Sequence, residues 1–372
     1  MKKSVYTLLP FLLAGFMLPN DNCGNNSSIQ ENQYDGPYVQ YKDNQVFVKY
    51  VYEDNGIKSV RVDSIPFSQK ENTSLRVATD EPGKVFSVQL KKQLENEKSE
   101  FSNIKKIFIV SDIEGNFKAL RKLLLGNGVM DENFNRTYGT GHLVLTGDFF
   151  DRGSQVTEVL WLIYSLEDKA KAAGGYVHFV LGNHEIMNMS GDIRYVHPKY
   201  MENAALINEQ YMALFGENAE LGRWLRTKNV VERVGDILFA HGGISSEVNS
   251  IDISASRINK LSRPFYPDST YKYNDQKIAL LYSDLGPFWY RGYYNGRPRA
   301  TQEQVDSTLK IYGVKYIATG HTVIADTVSA LFKGKLFNTD VHHAKGHSEG
   351  LLYEDGIFYR ASPIGEKLQI GD

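Results

Sequence analysis

The chain has 372 residues, 42% of them hydrophobic and 23% charged, enough to bury the core of one large domain or two ordinary ones. Its formal net charge of −2 gives no electrostatic reason to expect nucleic acid or another polyanion as a partner. The single cysteine excludes an internal disulfide and any thiolate cluster for a metal.

Lys2 and Lys3, followed by an apolar stretch over residues 5–18, have the form of a signal segment that is too short for a comfortable membrane span. The expectation is export, to the periplasm or the cell envelope. Cys23 falls where a lipid-modified cysteine would sit, although Pro19-Asn20-Asp21-Asn22 lacks the small residues such processing demands. A soluble periplasmic form and one anchored to the membrane through Cys23 are both open. The predicted organisation is a signal segment at 1–22, a flexible tether at 23–35, a small antiparallel β unit at 36–90, a charged and solvated connector at 91–104, and an α/β domain at 105–372.

The β unit is read from alternating runs such as Gln45-Val46-Phe47-Val48, separated by Lys-Asp-Asn and Asp-Asn-Gly turn signals. No His, Asp or Glu clusters there at ligand spacing, so its expected role is structural. From Lys105 the texture becomes strand, loop and helix. The strands Ile107-Phe108-Ile109-Val110, Leu143-Val144-Leu145, 176–181, Ile237-Leu238-Phe239-Ala240 and Tyr316-Ile317-Ala318-Thr319 each run into polar residues. One long helical region is expected at about 198–226, a polar, tyrosine-rich insert at 250–300 and hairpins at 335–365. Alternating strands and helices argue for an α/β core, whose sites lie beyond the carboxyl ends of its strands.

Those strand ends carry Asp112 and Glu114, Asp148, Asn183, His241 and His321. All are oxygen or imidazole donors, which suit divalent Mn, Fe, Zn or Mg. Six ligands are too many for one catalytic cation that keeps open positions. Two cations sharing a carboxylate, roughly 3.5–4 Å apart, fit the count and would activate a bridging water for in-line displacement at phosphorus. Arg152, in Thr146-Gly147-Asp148-Phe149-Phe150-Asp151-Arg152-Gly153, offers a planar fork for phosphate oxygens. Among the remaining candidates, His142, His178 and His197 are read as structural and Trp161 and Trp224 as core; His342, His343 and His347 are read as surface residues, with the alternative that they add a ligand or acid near the site. Arg194 either touches substrate or pairs with Asp192.

In this order, Asp112-Ile113-Glu114-Gly115, Gly147-Asp148-x-x-Asp151-Arg152-Gly153, Gly182-Asn183-His184-Glu185, His241-Gly242-Gly243 and Gly320-His321 resemble the calcineurin-like metallophosphoesterases, most closely the PPP-type phosphoprotein phosphatases. The continuation of the third motif to Val196 is similar to their bacterial Shewanella-like branch. The likeness covers about residues 105–345. It implies a β-sandwich flanked by helices in αββα layers, here preceded by the β unit. It also implies a metal-dependent phosphoric ester hydrolase in which a metal-bridging hydroxide attacks a phosphomonoester. Carried over by motif, Asp112 and Glu114 hold the first cation, Asp148 bridges, and Asn183, His241 and His321 hold the second. Arg152 and, by a looser match in Trp289-Tyr290-Arg291-Gly292, Arg291 bind phosphate. His184 protonates the leaving oxygen and Asp151 orients it.

Glu114 departs from the pattern, which usually has histidine there. A carboxylate in its place is expected to favour harder metals and to make the bridging water less acidic, unless it damages the first site. The implied substrate is a phosphorylated protein (on tyrosine or serine/threonine) or a small phosphate ester. The alternatives are a phosphodiesterase or nucleotide pyrophosphohydrolase on the same scaffold, or a catalytically weak binding protein with a vestigial metal site.

Overall fold

Residues 33–371 are described in a computed structural model; the expected signal segment and Cys23 lie outside them. Strands β1 (Gln33–Lys42), β2 (Gln45–Asp54) and β3 (Ile57–Pro66) form an antiparallel sheet, and β4 (Ser74–Ala78) pairs with β5 (Val85–Gln89). The sheet's two tight turns place Asp43 (φ 47°) and Asn44 (φ 61°), then Asn55 (φ 49°) and Gly56 (φ 80°), in the left-handed region. Asn, Asp and Gly tolerate that conformation, which matches the twist of the paired strands.

The rest of the chain is a sandwich of two six-stranded sheets. Its elements are β6 (Glu100–Phe101), β7 (Lys106–Val110), helix α1 (Phe117–Gly126), β8 (His142–Thr146), α2 (Val156–Ala172), β9 (Tyr176–Val180), α3 (Asn183–Ser190), α4 (Pro198–Leu206), β10 (Val231–Val234) and β11 (Ile237–Ala240). Strands β12 (Tyr316–Thr319), β13 (Ser329–Leu331), β14 (Leu336–Asn338), β15 (Gly350–Glu354), β16 (Ile357–Ala361) and β17 (Lys367–Ile370) complete it. One sheet has the order β17-β16-β15-β7-β8-β9 and the other β13-β14-β12-β11-β10-β6. Within them β7, β8 and β9 are mutually parallel, as are β11, β12 and β14.

Why the strands read as continuous apolar runs is visible in the packing. Ile107, Ile109, Val144, Ile237 and Phe239 point into the layer between the sheets. Their neighbours Phe108, Val110, Leu143, Leu145 and Leu238 face the outer core with the helices. Both faces are covered, so period-two alternation of polarity has no place. The inner layer does hold one polar chain. His142 Nδ1 lies 2.8 Å from His178 Nε2, and His178 Nδ1 lies 2.6 Å from Glu232 Oε2, so both histidines are structural as expected. Trp161 and Trp224 are fully buried core residues.

The sequence expectations need correction at four places. Residues 33–35 belong to β1, with Asp35 buried and accepting from Tyr38 Oη (2.6 Å) and Asn203 Nδ2 (2.5 Å), so the tether cannot extend that far. The N-terminal strands are not set apart: Tyr38, Val46, Val51, Val77 and Val88 share one apolar core with α2 and Trp224. The connector is not wholly solvated, because Lys91 is buried against Glu167 and Asp168 and residues 100–101 form β6. The single helix at 198–226 is three pieces, since Asn208 turns left-handed (φ 57°) after α4; a 3₁₀ turn, Tyr211–Phe215, and a short helix, Glu220–Leu225, follow.

Glu220 fastens the N-terminal sheet to the sandwich. Fully buried, it accepts from Tyr164 Oη at 2.6 Å and from Tyr41 Oη, and pairs with buried Lys70 at 3.2 Å. Removing one member of a buried pair strands the other. Glu220→Ala is therefore expected to lower unfolding free energy by about 3–5 kcal/mol in urea titrations. Lys58→Ala, which breaks a pair whose carboxylate, Glu202, is exposed, should cost under about 1 kcal/mol.

Candidate metal and phosphate site

The expected ligands sit in the first residues beyond five strands: Asp112 after β7, Asp148 after β8, Asn183 after β9, His241 after β11 and His321 after β12. Two strands come from one sheet edge to edge with a third, and two from the other sheet, so the site straddles the carboxyl ends of the sandwich. The loops are forced close together. A side chain at Gly147 (φ 83°) would meet Gly182 N and His241 Nδ1 at 2.6 Å, and one at Gly320 would meet Asp112 Oδ2 at 2.2 Å. Asp112 (φ 52°), Glu114 (49°), Asp148 (60°), Asp151 (70°), Arg152 (55°) and His321 (70°) all take the left-handed conformation. Each costs on the order of 1 kcal/mol or more, and such strain persists only where the surroundings impose it.

One carboxylate oxygen of Asp148 and one ring nitrogen each of His241 and His321 lie within 4.8 Å of one another, all buried. His241 Nε2 is 3.0 Å from Asp148 Oδ2 and 3.1 Å from Asn183 Oδ1. Its Nδ1 is 2.7 Å from the Thr146 carbonyl, which fixes the ring with Nε2 facing the site. This mixed oxygen and nitrogen set fits a divalent cation. Burial would push the Asp148 carboxyl up, but the imidazoles of His241, His184 and His321 outweigh it and hold it below the ordinary range. His241, which burial alone would lower, is raised to about 9 by Asp148. His321 is held well below the usual value by burial, His241 and Arg291.

Asp112 adjoins this cluster, accepting from His321 N at 3.2 Å. Burial, then the charge of Asp340, pushes its carboxyl well above the usual range. Asp340 itself is raised to about 8 by burial and then Asp148. Glu114 is placed differently from the expectation of a first-cation ligand: its carboxylate is ion-paired with the Arg152 guanidinium. Arg291 donates through Nη1 to the His321 carbonyl (2.6 Å) and Thr322 Oγ1 (2.9 Å), so both expected phosphate-binding arginines flank the cluster.

His184 Nδ1 is 2.5 Å from Asp151 Oδ2, and Asn188 Nδ2 donates to Asp151 Oδ1 at 2.9 Å. Tyr211 Oη donates in turn to Asn188 Oδ1. Burial lowers the His184 pKa, but Asp148 and Asp151 outweigh it and leave it raised. Arg194, largely exposed, pairs with Asp192 (2.7 Å), one of the two readings left open for it.

Several residues at the site had escaped the sequence reading of roles. Glu185, fully buried, accepts from the backbone N–H groups of Asp148 (2.9 Å), Phe149 (2.7 Å) and Gly182 (2.7 Å). The GNHE motif marked it, but not its task. His343, expected at the surface, is buried with Nε2 3.1 Å from the Ser111 carbonyl, and burial lowers its pKa to about 4. His342 contacts Asp326. No motif signals Asp340.

The calcineurin-like phosphoesterase family model matches residues 105–325. The chain is 34% identical to the cold-active protein-tyrosine phosphatase of a psychrophilic Shewanella species, with a TM-score of 0.80 and coverage of 90% of this chain and 98% of that one. It is 25% identical to Shewanella-like protein phosphatase 2 of Arabidopsis thaliana, over 68% of this chain and 74% of the plant protein. It is also 27% identical to Shewanella-like protein phosphatase 1 of Plasmodium berghei, over 60% of this chain and 64% of that protein. With its strand-end ligands and its likeness along nearly the whole described length, the chain belongs to the calcineurin-like phosphoesterases, in their Shewanella-like branch, and is a hydrolase of phosphoric esters.

Proposed function

We propose that this protein is a di-metal phosphomonoesterase acting on phosphorylated proteins, with phosphotyrosine favoured over phosphoserine and phosphothreonine. The observation that carries this reading is the grouping around His184. Its ring lies 5.2 Å from that of Tyr195, which is 43% exposed, and the Arg152 guanidinium lies over the same Tyr195 ring at 5.4 Å. A phosphate-binding fork, a proton donor and an open aromatic face therefore adjoin. The last suits a leaving group that is itself an aromatic ring. Likeness over 90% of the chain to a protein-tyrosine phosphatase supports the same substrate class.

Divalent cations held by Asp148, Asn183, His241 and His321, with Asp112 beside them, would supply Lewis acidity: they acidify water and neutralise charge on the phosphoryl oxygens. The chain's own groups do the rest. Arg152 and Arg291 take non-bridging oxygens, and a monoester dianion needs both where a diester monoanion would not. His184, held through Nδ1 by Asp151, presents Nε2 to the leaving oxygen. As water oxygen bonds to phosphorus and releases one of its protons to solvent, the ester P–O bond breaks and the Nε2 proton passes to the departing oxygen. Asp151 keeps the imidazole protonated until then.

Export extends the proposal, on the support of Lys2, Lys3 and the apolar residues 5–18. The substrate would then be met outside the cytoplasm, where small phosphate esters compete with phosphoproteins.

The test is turnover by metal-stripped protein re-supplied singly with Mn, Fe, Zn or Mg. Substrates are an aryl phosphate, its diaryl diester, an alkyl phosphate, and phosphotyrosine and phosphoserine peptides. Metal-dependent turnover of monoesters, phosphotyrosine first, is expected; faster cleavage of the diester would overturn the reading. His184→Ala should lower kcat by about 10²–10⁴-fold. Asp151→Asn removes a charge that raises the His184 pKa. Since His184 acts in its protonated form, the alkaline limb of the kcat profile should move to lower pH. Tyr195→Ala should raise KM for the phosphotyrosine peptide several-fold and leave that for phosphoserine nearly unchanged; equal effects on both would remove the aromatic platform from the argument.

A further inference from the structure

The turn after α3, residues 191–197, brings Tyr195 to the His184 ring and to the Arg152 guanidinium. Two side chains from later in the chain join the same turn. Met212, in the 3₁₀ turn Tyr211–Phe215, lies against Gly191, where an added Cβ would meet Met212 Sδ at 2.5 Å. Tyr271, in the tyrosine-rich insert, is hydrogen-bonded through its hydroxyl to Oγ of Ser190, the last residue of α3. Ile193, Tyr195, Met212 and Tyr271 are each 42–46% exposed, whereas Ser190 is buried. Large apolar side chains thus lie open on and around one turn beside the phosphate-binding groups, the mark of a surface that is covered in use.

The insert is anchored by Tyr273, whose ring lies 5.6 Å from Phe265 and 4.9 Å from Tyr282. Tyr271 instead takes the left-handed conformation (φ 51°), which is unfavourable for a bulky side chain and persists only where its surroundings hold it. The turn itself is neutral, because Arg194 is paired with Asp192 through Nε (2.8 Å) and Nη2 (2.7 Å). Its chemistry therefore suits an apolar side chain better than an acidic one.

Distance ties this surface to the reaction. From His184 to Ser190 the helix rises about 9 Å, at roughly 1.5 Å per residue. An extended peptide covers such a span in about three residues, at roughly 3.3–3.6 Å each. A polypeptide tethered by its phosphate at Arg152 and His184 thus has its near neighbours within reach of Met212 and Tyr271.

We propose that Ile193, Met212 and Tyr271 form a docking shelf for the substrate polypeptide, taking an apolar side chain within about three residues of the phosphotyrosine. The proposal rests on the phosphoprotein reading given above and narrows it. Arg152, His184 and Tyr195 read the phosphorylated side chain, and the shelf reads the sequence around it.

The test is steady-state kinetics of the full-length enzyme, loaded with the metal that best supports aryl phosphate turnover. Its substrates are phosphotyrosine peptides flanked only by serine, with a single leucine or glutamate placed in turn at each of the nearest positions on either side. At one position at least, leucine should raise kcat/KM about tenfold over the all-serine peptide, the value of covering part of its side chain, and mainly through KM. Tyr271→Ser and Met212→Ser should each shrink that preference severalfold. Met212→Lys should turn it toward glutamate, a gain that misfolding cannot imitate. Leucine without effect at every position, or glutamate preferred by the wild type, would overturn the proposal. So would variants that slow the leucine and all-serine peptides alike. A dimer of the wild type that Tyr271→Ser dissociates would give the shelf to a second copy and sink the proposal too. No turnover of any phosphotyrosine peptide would bring down the phosphoprotein reading, and the shelf with it.

Discussion

Three backbone N–H groups converge on one buried carboxylate, and the site depends on that convergence. Glu185 accepts from Asp148 and Phe149 at the end of β8 and from Gly182 at the end of β9. The two loops are thereby locked together beneath α3. The lock orients the rest: Asp148 Oδ1 accepts from His184 N at 2.9 Å, at the positive end of α3, while Oδ2 faces His241. The same helix carries Asn183 to His241, His184 to Asp151, and Asn188 to the same Asp151 carboxylate. A neutral glutamine could satisfy only part of this arrangement, since its NH₂ cannot accept.

Convergence has a cost in backbone conformation and in charge. Left-handed φ values at Asp112, Asp148, Asp151, Arg152 and His321 bring side chains from separate loops to one point. The glycines between them exist because neighbouring loops leave no room for a Cβ, as at Gly147 and Gly320. The charge imbalance is local. Around His241 and Asp148 acid and base face each other directly. Around Asp112, burial and the charges of other carboxylates push its carboxyl toward the protonated form.

Much of this was legible from residue order. Five strand-end motifs located Asp112, Asp148, Asn183, His184, His241 and His321, because a short apolar run followed by a ligand is a local pattern and the α/β rule says where its end lies. Other features depend on pairing across long separations, which no local pattern records. Asp340 follows a three-residue strand, and it is buried only because β14 adds parallel to β12. His343 is carried to the Ser111 carbonyl by the same crossover. The β1–β3 alternation announced a sheet with one apolar face but not that α2 would cover it. The 198–226 helix was misjudged because its breaks are a left-handed Asn208 and a 3₁₀ turn, neither of which disturbs the apolar spacing.

The ion pair between Glu114 and Arg152 bears on why a carboxylate stands where the family pattern has histidine. A neutral imidazole can bind a cation but cannot hold a guanidinium, whereas a carboxylate can do either and not both at full strength. Among the described residues, Arg152 is otherwise anchored only through its backbone N–H to the Tyr195 carbonyl (2.9 Å) and by its contact with the Tyr195 ring. Its guanidinium is half exposed, so without Glu114 it would sample many directions and lose conformational freedom on binding phosphate. Preorganisation by Glu114 lowers that entropic cost but sets a carboxylate in competition with the incoming phosphate. The balance favours the phosphate when it carries two negative charges and meets Arg291 as well, since the single charge of Glu114 is partly solvated. Monoester preference would then arise partly from displacement: a dianion can take Arg152 from Glu114 where a diester monoanion competes on nearly equal terms.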